Sequence, residues 1–365
     1  MARFARTLVL VAASWQLALP RLVRADHATS LVLKWRAPRG NAGKPPPRGT
    51  PEWEAFNGHP SARLVSHLQD PGHADPVPLS GLRSASRNPS HPLSEADIAA
   101  AFASLGVPRT IARRAADQAL LGLPSGADLV SINDHLIVRN DVVLSYSSSR
   151  KAPNWVSWRV RPDDLGPSPR SDDKWRSDPS LPARFGFITF HDYEHSGFDP
   201  GHMLPSADRT STRRENERTY VTSNTVPQSF NNNRGPWAKL EMFTRDRVKY
   251  EGLEAHVLAG PIYGKNPLTI GDAVPVPNAV WKVVFLLPRG GTLADVTAET
   301  RVISVIIPNN DIDVSEAMSF ESFISTPEEI ERRTGLRFFT SLPTPLANAL
   351  RVKRDGGSAN SPVHP

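Results

Sequence analysis

The stretch from Gly197 to Tyr250, GFDPGHMLPSADRTSTRRENERTYVTSNTVPQSFNNNRGPWAKLEMFTRDRVKY, most constrains what this chain can fold into. An Asp-x-Gly-His block (Asp199 to His202) stands at its start, and an Asn run (Asn231 to Asn233) opens a predicted helix that carries Glu241 and Arg245. Glu241 and Arg245, four apart, share one helix face. Asn233 precedes Glu241 by eight residues, a little over two turns. Pro236 suits a first helical turn, where a missing N–H costs nothing.

These residue types have a shared chemistry. Histidine titrates near neutrality and can take a proton from water. The Asn side-chain oxygen is a hard, uncharged ligand suited to Mg²⁺, an ion that keeps several waters when the protein offers few ligands. A helix N-terminus beside the Asn run would favour an anion there. Each residue also has a structural reading: a His packed beside Gly, Asn in turns, a solvated Glu–Arg pair.

The stretch closely resembles the DNA/RNA non-specific endonucleases of the ββα-metal (His-Me finger) superfamily. The resemblance rests on Asp199, Gly201 and His202, then Pro205, Ala207, Asp208 and Arg209. It continues through Ser223-Asn224, Pro227-Gln228, Asn232-Asn233-Arg234, Trp237 and Leu240-Glu241. It implies His202 as general base, Asn233 as ligand of Mg²⁺ (Mn²⁺ as the alternative), Glu241 as organiser of metal-bound water, and Arg245 as a phosphate contact. Arg170 is a further phosphate-contact candidate in a segment aligned with a one-residue shift, and Arg209 a substrate-binding candidate. The family's Arg in Asp-Arg-Gly-His is Pro200 here.

The rest of the chain sets the frame. Residues 1–25 combine Arg3 and Arg6 with an apolar run from Leu8 to Leu19 and the small-residue site Val23-Arg24-Ala25, the pattern of a secretory or periplasmic signal. A mitochondrial transit peptide is the rival reading, since the segment has Arg and no acid. The run is too short to span a bilayer comfortably. Its loss lowers the formal charge from +6 to +2, so local Arg placement, not net charge, must carry a nucleic-acid reading. No cysteine is present, which excludes disulfides, thiolate catalysis and Cys-type zinc sites. Residues 26–92 read as a Pro/Gly/Arg-rich linker and 355–365 as a loose tail.

Between these lie a helical segment at 93–121, with a Ser94–Asp97 capping box, and a nuclease domain at 122–354. Strands are expected at His135–Val138, Val142–Tyr146, Trp155–Val160, through Phe185 to Thr189, at Tyr220–Asn224, Ala255–Ala259, Trp281–Leu287 and Val302–Ile307. One helix is expected over Asn233–Lys249, and another is capped by Thr326 and ended by Gly335. Lys282 reads as a strand-end residue facing solvent or substrate. The expected fold is α+β, a mainly antiparallel sheet core with packed helices and a ββα-metal site. The expected activity is metal-dependent hydrolysis of DNA and RNA; the alternative is a weakened nucleic-acid-binding protein on the same fold.

Overall fold

The computed structural model describes residues 91–171, 175–185 and 188–356. The leader, all but the end of the linker, and all but the start of the tail lie outside them. Seven strands form one fully antiparallel sheet in the order β1-β2-β3-β6-β9-β10-β11: β1 (His135–Val138), β2 (Val143–Ser147), β3 (Ala152–Val160), β6 (Leu253–Ile262), β9 (Ala279–Pro288), β10 (Val302–Pro308) and β11 (Ile324–Ser325). Two small antiparallel pairs complete the strands: β4 (Asp199–His202) with β5 (Thr225–Gln228), and β7 (Thr269–Ile270) with β8 (Val274–Pro275).

The central strands are buried on both faces. That is why Val280 to Leu287 reads as a near-continuous apolar run and not as alternation. One face (Trp155, Leu258, Trp281, Val283, Phe285) is covered by helices α1 (Glu95–Ser104) and α2 (Arg109–Gln118) through Phe102, Ala112 and Ala115, and by chain from Ile330 to Leu350. The other face (Val156, Trp158, Val257, Val284, Leu286) carries Met203, Leu204, Val226, Trp237, Leu240 and Phe243, the layer built from the 197–250 stretch. Side chains alternate across a strand, so Lys282, next to Trp281 and Val283, faces this second layer.

Helix starts follow the local rules. Ser94 and Asp97 form the expected reciprocal cap on α1. The helix at Pro327–Thr334 begins behind the Thr326 cap and ends on Gly335 at φ 75°. Three local expectations are corrected. Tyr220–Asn224 is not a strand: the Asn224 amide bonds Leu204 and Thr219 backbone, which bends this segment and delays β5 to Thr225. The alternation through Phe185 misleads, because Ala183–Phe185 and Phe190–Asp192 are short 3₁₀ turns; Phe187 lies outside the described residues.

The third correction concerns the helix expected over Asn233–Lys249. It is broken into a single helical turn (Phe230–Asn232), a wide turn (Asn233–Trp237) and a regular helix of 13 residues from Ala238 to Tyr250. Proline disfavours the α conformation of the residue before it, and Gly235 sits at φ −98°, ψ −113°. A Cβ there would come within 2.7 Å of the Glu316 backbone, so glycine also permits this close approach.

Candidate active site

His202 ends β4, whose Gly201 stands opposite Val226, and a Cβ on Gly201 would collide with the Gln228 side chain. Trp237 Nε1 donates to the His202 carbonyl at 3.3 Å, tying the wide turn to the strand end. The imidazole is held between two rings, Trp175 at 4.2 Å and Tyr220 at 4.8 Å in an edge-on contact. Its Nε2 is buried and has no hydrogen-bond partner among the described residues. Burial, aided by the positive charge of Arg170, lowers the His202 pKa to about 3, so the ring is neutral at physiological pH. Arg170 is exposed and donates from Nε to the Tyr220 hydroxyl at 2.6 Å.

Asn233 is half-buried and its amide is oriented by a carboxylate: Nδ2 donates to Asp199 Oδ2 at 2.9 Å. Arg234 closes on the same carboxylate through Nε at 3.0 Å and Nη2 at 2.9 Å. With the amide nitrogen turned to Asp199, Oδ1 points away and accepts no hydrogen bond among the described residues. This is the donor a hard cation requires, and it sits on the strand-and-turn unit that carries His202. No group of three or more His, Cys, Asp or Glu able to hold a metal occurs among the described residues. A Mg²⁺ held here would keep most of its waters, which suits that ion.

Glu241 and Arg245 project from the 238–250 helix into a charge network beside the sheet. Glu241 Oε1 meets Lys282 Nζ at 2.9 Å, and Arg245 Nη1 meets Asp208 Oδ1 at 3.0 Å. Asp208 Oδ2 also accepts from Trp158 Nε1 at 2.9 Å. Burial pushes the Glu241 carboxyl up and the Lys282 ammonium down, while their mutual attraction opposes both shifts. Lys282, read from sequence as a strand-end residue, is 1% exposed and stands in mid-strand.

Arg209 is not brought to this site. Its guanidinium is buried and donates to the carbonyls of Asp208, Asp141 and Arg159 at 2.8 to 3.0 Å, leaving it no fork for a phosphate. Four partners escaped the sequence reading: Trp175, Tyr220, Lys282 and, as the group that turns the Asn233 amide, Asp199. Lys282 alone left a usable signal, since a lone lysine inside an apolar strand requires a buried acid.

Two short antiparallel strands followed by a helix, set on a mixed helix and antiparallel-sheet frame, define a ββα-metal nuclease fold. The profile of the DNA/RNA non-specific endonuclease family matches residues 127–345. A nuclease of Nostoc sp. is 36% identical over 239 residues, covering 65% of this chain and 85% of that protein. The mitochondrial endonuclease G of Homo sapiens is 32% identical over 245 residues, covering 64% and 75% respectively. The crystal structure of an EndoG/EndoGI complex matches with a TM-score of 0.53 at 25% identity, covering 64% of this chain and 94% of that one. The chain belongs to the DNA/RNA non-specific endonuclease family and is a nuclease, a hydrolase of a metal-dependent family.

Proposed function

We propose that the protein hydrolyses phosphodiester bonds of DNA and RNA without sequence preference, with His202 as general base and Asn233 as the protein ligand of Mg²⁺. The observation that carries the reading is the His202 imidazole, clamped by Trp175 and Tyr220 with a ring nitrogen that has no partner among the described residues. A proton leaving the attacking water passes to that ring. Trp175 and Tyr220 fix the ring plane, and the Arg170 charge opposes premature protonation. Asn233 would hold the ion through Oδ1, which when bound neutralises the phosphate and the leaving oxygen. Glu241, anchored by Lys282, would order waters around such an ion, and Arg170 would meet a phosphate oxygen. Arg245 is committed to Asp208 in this arrangement and reaches substrate only by exchanging that partner. A site that grips phosphate alone reads no bases.

The leader suggests export, with Arg3 and Arg6 preceding its apolar run. The mitochondrial names of two relatives favour the rival destination. No helix among the described residues is long and apolar enough to cross a membrane. Amino-terminal sequencing of the mature protein and its recovery from the medium decide between the two.

Digestion of plasmid and of RNA with and without Mg²⁺ tests the activity. His202→Ala is expected to slow it about 10²–10⁴-fold. A folded His202→Ala protein with parental turnover would overturn the assignment, as would full activity in excess chelator.

A further inference from the structure

A polar cavity of about 390 Å³ lies where helix α2 meets the loop joining the two strands of the His202 hairpin. Arg114, Arg161, Arg209, Arg214 and Arg218 line it. Helix α2, which supplies Arg114, stands outside the family-matched residues 127–345, so this cavity joins chain-specific and family-matched parts.

Each acid lining the cavity already has a partner. Asp117 is held by Arg161 at 2.7 Å, Asp141 faces Arg218 at 3.7 Å, Asp164 faces Arg209 at 3.9 Å, and Glu215 accepts the Thr212 hydroxyl at 3.1 Å. Arg114 and Arg214 are exposed and have no ion pair or hydrogen bond among the described residues. Arg114 and Arg214 therefore offer two uncommitted guanidinium forks to a cavity lined by five arginines and four acids.

The cavity is wired to the catalytic hairpin. The segments 161–171 and 206–218 run side by side: Thr210 and Ser211 donate backbone N–H to the Asp164 carbonyl at 2.9 and 3.1 Å, and Ser168 donates to the Thr210 carbonyl at 3.0 Å. Ser171 N–H meets Asn216 Oδ1 at 2.7 Å. One end of this paired track holds the cavity; the other holds Arg170, hydrogen-bonded to the Tyr220 that touches His202.

We propose that this cavity is a phosphate exosite, where Arg114 and Arg214 grip the backbone of a nucleic-acid strand away from the scissile bond. The proposal rests on the nuclease reading of the His202 site. It assigns substrate length as a determinant of KM, with longer strands engaging both sites and short ones only the catalytic site.

The test is the double variant Arg114→Gln/Arg214→Gln, assayed on a strand of roughly 20 nucleotides and on a trinucleotide. On the long strand KM should rise about tenfold with kcat held, and the salt dependence of log KM should flatten by about 1.4 for two lost phosphate contacts on a single strand. Trinucleotide hydrolysis and the melting temperature should be unchanged. A parental KM and salt slope on the long strand would overturn the exosite. So would an equal loss on both substrates, which marks a structural role. Anisotropy of the labelled long strand in chelator supplies the same comparison without turnover. If the parent cleaves nothing, the nuclease reading fails, and a parental Kd in the double variant then rejects the exosite separately.

Discussion

Lys282 Nζ lies 2.9 Å from Glu241 Oε1 and 3.8 Å from the centre of the Trp237 ring, so one buried ammonium joins the sheet, the 238–250 helix and the wide turn. Both charges are nearly lost to solvent, with side chains 2% and 13% exposed. A buried pair of this kind is poor evidence for net stability, because desolvation offsets attraction. Breaking it from one side is another matter.

Lys282→Met is expected to destabilise the fold by about 3–5 kcal/mol, since it leaves Glu241 buried without its cation. Adding Glu241→Gln should restore part of that loss while leaving the enzyme inactive. Urea unfolding of the single and double variants checks this. A single variant as stable as the parent would show that the pair is not buried as described.

A second buried group gives a pH dependence. His256 on β6 is 2% exposed, both its ring nitrogens lack partners among the described residues, and burial, followed by the Arg161 charge, lowers its pKa from 6.5 to about 3. The folded-state value lies below the unfolded one, so between these pH values the unfolded chain binds a proton that the folded protein refuses. Stability is therefore full above pH 6.5 and falls as pH drops toward 3, by about 2 kcal/mol at pH 5 from this residue. His256→Leu removes that slope. Its melting temperature should gain on the parent as pH falls from 7 to 5, and parallel curves would reject the account.

How much of this was legible in the chain differs by residue. Ser94, Thr326 and Gly335 act within one turn of themselves, so capping rules placed their helices correctly. The central strands were legible because apolar runs bury sheets on both faces. Lys282 and Arg209 were misread for one reason: their partners are distant in sequence. Glu241 lies 41 residues from Lys282, and Arg209 is satisfied by carbonyls 50 and 68 residues away. A motif position carries no information about such closures. The wide turn was missed because Pro236 was read as a helix start, when its effect on Gly235 breaks the helix.

Asp199 yields a prediction about the metal. It turns the Asn233 amide and is itself gripped by Arg234. Asp199→Ala should leave Asn233 in place but free to rotate, raising the Mg²⁺ needed for half-maximal activity about 10–100-fold, the usual cost of losing a group that orients a ligand. Asn233→Ala should abolish the response to Mg²⁺ at any concentration. Mg²⁺ titrations of initial rate distinguish the two, and an unchanged titration for Asp199→Ala would remove its orienting role.

Pro200 is the one break in the hairpin motif. It stands opposite Pro227, and since neither has an N–H, this rung of the β4–β5 ladder carries no hydrogen bond. A substitution at 200 therefore loses no ladder contact. Strand alternation puts residue 200 on the His202 side, opposite Asp199 and Gly201, so an arginine there would emerge on the catalytic face. The nearby cations are engaged elsewhere: Arg209 is buried on backbone carbonyls, and Arg234 is closed on Asp199. Arg170 remains exposed beside Tyr220, which is why the parent is expected to be active but weakened. A new fork contacting a charged oxygen is worth roughly 1.5–3 kcal/mol, or about ten- to a hundred-fold if felt in the transition state. Pro200→Arg should accordingly raise kcat/KM on DNA with KM for Mg²⁺ unchanged. A folded Pro200→Arg enzyme at or below the parental kcat/KM would mean that the oxyanion position is already filled, with Arg170 as the residue to test next.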